Sequence, residues 1–96
     1  MPQIKLSTRA SSDLKRLYDF LSEKDERVAN NAIDTIKASF KYIAQMPLIG
    51  RPVDDELREL VIDFGSSGYI ALYHYDTYID VVIILAIRHQ REFDYK

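Results

Sequence analysis

Near the C-terminus the chain reads Ile84-Leu85-Ala86-Ile87-Arg88-His89-Gln90-Arg91-Glu92, a run of strand-forming residues that breaks off into two arginines around a histidine. A guanidinium can stabilise the charge that builds on a pentavalent phosphate, and an imidazole with an unperturbed pKa of about 6.5 can move a proton. Arg88 and His89 could thus form the cationic centre of a metal-free ribonuclease. The plainer reading is that polar side chains mark where a buried strand reaches water. In a strand, neighbouring side chains point to opposite faces, so Arg88 and His89 address different sides of the sheet. Arg91, Phe93 and Tyr95 lie just beyond them.

Other chemistries find little support. His74 and His89, the only histidines, are fifteen residues apart, there is no cysteine, and no HExxH-like spacing occurs, so no metal site is expected. No cofactor is expected either: Gly65-Ser66-Ser67-Gly68 is too short for a phosphate loop and lies between strands, where a hairpin turn is the natural reading. Around Ser67 the same stretch approaches a nucleophile elbow, but Tyr69 replaces the second glycine and no helix follows.

The scaffold that carries these side chains is readable from residue periodicity. Gln3 to Ser7 alternates polar and apolar, as a half-buried strand does. Ala10, Leu14, Leu17, Tyr18 and Leu21 then form one face of a helix that Ser7 or Thr8 can cap. After the polar break Ser22 to Asp25, a second stripe runs through Ala29, Ala32, Ile33, Ile36, Phe40 and Ile43 until Pro47 stops it. The short break predicts an antiparallel helical hairpin. Met46 to Glu56 reads as an ordered loop. Three strands come next, Leu57 to Phe64, Tyr69 to Tyr75 and Ile79 to Ile87, the last apolar enough to be the central one. The expected fold is therefore α+β, in the order β-α-α-β-β-β, as a single domain over residues 1–96 whose last three strands form an antiparallel meander.

Charge narrows the partners. Residues 1–50 balance to +2 and residues 51–96 to −4, so extensive direct nucleic-acid binding is not expected. No apolar run approaches the ~18 residues of a membrane span, and the N-terminus lacks a signal-peptide pattern. A cytoplasmic protein with no membrane partner is the expectation.

Several short motifs carry a resemblance. Ser7-x-x-Ala10-x-x-Asp13-Leu14, Gly50-Arg51-Pro52, Leu57-Arg58-Glu59-Leu60, Tyr69-x-x-x-Tyr73 and Ile84 to Arg91, in this order, resemble the ParE/RelE superfamily of bacterial toxins over nearly the whole chain. The resemblance implies the toxin of a type II toxin–antitoxin pair, neutralised by a cognate antitoxin. ParE-like members inhibit DNA gyrase, and RelE-like members cut mRNA on the ribosome. Ribonuclease members often place an arginine after the first tyrosine of the third strand, where this chain has Ile70. The Ile-Arg-His-x-Arg ending is also closer to ParE-like members. Gyrase inhibition is thus the favoured expectation, with Arg88, His89 and Arg91 as the target-contact surface. The alternatives are a RelE-like endoribonuclease using Arg58, Arg88 and His89, and a non-toxic interaction domain of the same fold. Phe20 and Tyr42, off their helices' apolar stripes, and Tyr73 and Tyr75, on one sheet face, are the expected antitoxin anchors.

Overall fold

The computed structural model describes residues 1–92, 94 and 95; Phe93 and Lys96 lie outside the described residues. β1 (Gln3–Leu6) leads into α1 (Thr8–Ser22) and α2 (Glu26–Gln45), and then come β2 (Arg51–Pro52), β3 (Leu57–Phe64), β4 (Ser67–Asp76) and β5 (Val81–His89). The Ser7 hydroxyl accepts the Ala10 N–H and the Asp25 carboxylate accepts those of Arg27 and Val28, so both helices begin on side-chain caps. Apolar residues spaced by three and four on each helix then bury against one face of the sheet. Ile36, Ile43, Tyr73, Val82, Ile84 and Ile87 are the largest fully buried side chains.

The sheet order is β1-β5-β4-β3-β2. β1 runs parallel to β5, while β5, β4, β3 and β2 pair antiparallel in succession. The chain thus returns its last strand between its first and its fourth, and β4, rather than the expected Ile79 to Ile87 strand, lies at the centre. β5 also starts later than the apolar run suggests. Asp76 accepts the N–H groups of Tyr78 and Ile79, and Asp80 takes φ 54°, so Ile79 is spent in the turn. The expected loop after α2 contains the short edge strand β2, where Pro52 sits without needing a ladder N–H. The expected four-residue turn shortens to Gly65-Ser66, with Gly65 at φ 62°, and Ser67 and Gly68 already belong to β4.

The β4–β5 ladder contains one irregularity. Leu72 pairs with Ala86 but Tyr73 pairs with Ile84, so Leu85 is an extra residue in β5. Such a bulge changes which side chains of a strand face the core. Ile84 and Ile87 both point to the helices, three positions apart, where strict alternation forbids it.

Candidate functional site

α1 holds the end of β5 through charged side chains. Asp13 is 4% exposed although it lies in the apolar stripe, and its Oδ2 accepts the Ile87 N–H at 2.9 Å. Arg9 and Arg16 approach the same carboxylate at 3.9 and 3.6 Å, and Arg16 also pairs with Glu92 at 2.8 Å. The stretch just after the bulge and the turn beyond β5 are thereby fixed to the helix. The sequence signal was available: a carboxylate at a core position of a helical stripe needs a buried donor.

Past the bulge, Arg88 lies opposite Ile70 on the sheet face away from the helices, and His89 lies opposite Tyr69 on the helix face. The His89 ring meets Tyr69 edge-on at 5.4 Å. Its Nδ1 accepts the Arg91 N–H at 3.0 Å, which leaves the proton on Nε2, donated to Ser67 Oγ at 3.0 Å. Both nitrogens are therefore occupied in holding the strand end. A cleft of about 670 Å³ opens beside this ring, with Leu17, Phe20, Leu21 and Tyr69 as its apolar lining and Lys24 and Arg91 among its charged lining.

On the opposite face, the Arg88 guanidinium lies 5.2 Å from the Tyr95 ring centroid and donates through Nη1 to the carbonyls of His89 and Glu92. Its Nε is buried and has no hydrogen-bond partner among the described residues. Arg88 does not pair with Glu59, the carboxylate on the same sheet face. Glu59 instead accepts the Tyr95 hydroxyl at 2.7 Å and Arg51 at 3.1 Å. Tyr95 is the residue here that sequence reasoning noticed but assigned no role. Its position depends on the chain turning back across the sheet after β5, which no local pattern encodes.

Arg58 is remote from both. It lies across from Tyr73 on the β3–β4 ladder, and its guanidinium donates to Leu48 and Gly50 carbonyls at 3.1 and 2.8 Å. Arg58, Arg88 and His89 therefore do not converge on one point. Among the expected antitoxin anchors, Phe20 and Tyr42 are 62% and 58% exposed. Tyr75 is half-buried and donates to Asp80 at 2.6 Å. Tyr73 is a correction: it is 0% exposed, because the helices cover the sheet face it shares, and it offers no surface to a partner.

Burial raises the phenol pKa values of Tyr69 and Tyr73, and burial together with the Glu59 hydrogen bond raises that of Tyr95 further. The Asp80 hydrogen bond raises that of Tyr75. A phenol that binds its proton more tightly when folded stabilises the fold fully below the unfolded value of 10.0, and that contribution is lost as pH climbs toward the folded value. Stability should thus fall above about pH 10, and Tyr95→Phe should make the decline shallower. Urea unfolding midpoints across an alkaline series measure this; an unchanged slope in Tyr95→Phe would refute the role given to that phenol.

Among the described residues no helix is long and apolar enough to cross a membrane. The family model "ParE toxin of type II toxin-antitoxin system, parDE" matches residues 4–93. Toxin RelE3 of Caulobacter vibrioides is 36% identical over 92 residues, covering 96% of this chain and 98% of that protein. The fold is similar to that in the chromosomal ParDE toxin–antitoxin system from P. aeruginosa, with a TM-score of 0.77, 20% identity, and 93% and 96% of the two chains covered. It is also similar to that in the intact E. coli RelBE toxin–antitoxin complex, with a TM-score of 0.65, 15% identity, and 96% and 100% covered. The α+β fold and the ordered motifs agree with these likenesses, and the chain belongs to the ParE toxin family of type II toxin–antitoxin systems, within the ParE/RelE superfamily.

Proposed function

We propose that this toxin acts by contact with a protein target, DNA gyrase, in the cytoplasm, rather than by cutting RNA, and that a cognate antitoxin neutralises it. The observation that carries this reading is the dispersal of the cationic set. Arg88 and His89 address opposite faces, the Arg58 guanidinium is committed to loop carbonyls, and Ile70 stands beside Arg88 where a second guanidinium would face a phosphate. Metal-free phosphodiester cleavage needs charge stabilisation and proton transfer at the same few ångströms. Arg91 is exposed at the end of the sheet and lines the helix-side cleft together with His89, an arrangement suited to a contact surface, while Arg88 faces the other side.

The test uses purified chain freed of antitoxin, assayed for gyrase supercoiling and for ribosome-dependent mRNA cleavage. Arg91→Glu should weaken supercoiling inhibition by about tenfold or more, since reversed charge at a contact surface opposes association. His89→Gln should stay within a few-fold, where a proton-transfer role would lose about 100-fold or more. Site-specific mRNA cuts with supercoiling untouched would overturn the reading.

That outcome has its own structural support. Arg88, Tyr95 and Glu59 form a compact group on the open sheet face. In a ribonuclease the guanidinium would hold the phosphate while the RNA 2′-hydroxyl attacks phosphorus and the bond to the 5′-oxygen breaks, Glu59 taking the 2′-hydroxyl proton and the Tyr95 phenol giving its own to the leaving 5′-oxygen. Tyr95→Phe would then abolish the cuts.

A further inference from the structure

The loop that joins α2 to β3 combines two features that rarely occur together, exposed apolar side chains and a firmly held backbone. Met46, Leu48, Ile49 and Val53 are 54%, 63%, 40% and 52% exposed. A loop of free conformation would turn such side chains inward. This one cannot, because its polar groups are held from beneath. The buried Tyr73 hydroxyl donates to the Pro47 carbonyl and accepts the Gly50 N–H, each at 2.8 Å, and Arg58 adds the bonds to Leu48 and Gly50 carbonyls. Two core-side residues are thus spent on fixing a loop whose apolar tips face water, which removes in advance the ordering cost of binding.

Charge beside the loop indicates what covers it. Asp54 Oδ1 accepts the N–H groups of Glu56 and Leu57 at 2.8 Å, a turn that leaves Asp55 and Glu56 exposed. Leu48 shares a shallow pocket of about 200 Å³ with these acids. Arg58, the cation in that pocket, is already committed to carbonyls, and among the described residues Asp55 and Glu56 form no ion pair. A patch of this composition complements a segment whose apolar side chains are flanked by Lys or Arg, whose aliphatic stems also fill apolar ground.

We infer that Met46, Leu48, Ile49 and Val53, with Asp55 and Glu56 beside them, form a docking surface for a basic, apolar segment of the antitoxin. The inference rests on the toxin–antitoxin reading of the chain. It assigns the patch to the antitoxin and not to the target because apolar surface left in water invites aggregation, and a similar fold is found in complex with its antitoxin in the intact E. coli RelBE structure. The patch also lies at the Leu57–His74 end of the β3–β4 ladder, whereas Arg88 and His89 face Ile70 and Tyr69 toward the other end of β4.

The experiment titrates the purified chain with the protein encoded by the adjoining reading frame, over a range of salt concentrations. Leu48→Glu should weaken binding by about tenfold or more, the scale of a lost interface anchor. The double variant Asp55→Lys, Glu56→Lys should do the same and flatten the salt dependence, and since all three positions are exposed, thermal melts should match the parent. Parent-like affinity in both variants overturns the inference while the toxin–antitoxin reading stands. A concentration-dependent dimer of the free chain that Leu48→Glu abolishes also overturns it, giving the patch to a second copy. No binding by the parent chain overturns both readings together.

Discussion

Gly68→Ala should unfold the protein at ordinary temperature or cost about 3 kcal/mol or more, above the usual range for overpacking. A Cβ at this position would collide with the Ile62 carbonyl oxygen and lie 3.0 Å from its carbon. Gln90 Nε2, at 2.9 Å, can swing away, but the Ile62 carbonyl belongs to the β3 backbone and cannot move without breaking the β3–β4 ladder. The strain would spread to the candidate site, because the Gly68 carbonyl accepts the Gln90 N–H at 2.9 Å and so anchors the chain just past His89. Chemical denaturation of the parent and variant measures the effect. Ser66→Ala, at an exposed turn position, serves as the comparison and should change stability by no more than about 0.5 kcal/mol. A stable, parent-like Gly68→Ala would mean that β3 and β4 are spaced more loosely here than the structure has them.

Asp13→Ala should cost about 2–3 kcal/mol, chiefly by leaving the buried Ile87 N–H without an acceptor. The ion pairs contribute less, since the Arg9 and Arg16 side chains are 46% and 35% exposed and can return to water when the carboxylate is lost. Asp13→Asn distinguishes the two contributions: it keeps an oxygen to accept the Ile87 N–H and removes only the charge, so it should recover more than half of the loss. Amide exchange at Ile87 is the site-specific readout and should quicken in Asp13→Ala well beyond that of the helix amides. Equal losses in the two variants would show that charge, not the hydrogen bond, holds the end of β5. Because Arg88 and His89 come directly after Ile87, Asp13→Ala should also weaken target inhibition without touching the target, whereas Asp13→Asn should largely restore it.

Much of the fold is legible in the order of residue types. Polar–apolar alternation in Gln3 to Ser7, the two helical stripes and the runs from Leu57 onward identify nearly every element, because a helix or strand must bury one face and its period is written locally. The helix starts at Ser7 and Asp25 are equally local, since a cap is a contact with the next two or three residues. The boundaries that shifted, at Ser67 and at Val81, are places where hydrogen bonds to Asp76 or across the β3–β4 ladder outrank side-chain pattern.

Residue order was enough to establish that Arg88 and His89 part to opposite faces and that neither histidine has a metal-ligand neighbour at a recognised spacing. Which face each side chain takes depended on the packed fold. Alternation fixes the parity of neighbours within a strand but not the offset between strands, and the extra Leu85 opposite the Leu72–Tyr73 step turns Ile87 and His89 toward the helices and Arg88 toward the open face. The same limit hid the burial of Tyr73, whose face becomes core only once two helices lie on it, and the meeting of Tyr95 with Glu59 across 36 positions of sequence. Contacts between residues so far apart are set by how the elements pack, and packing is a property of the whole chain that no short window of residues contains.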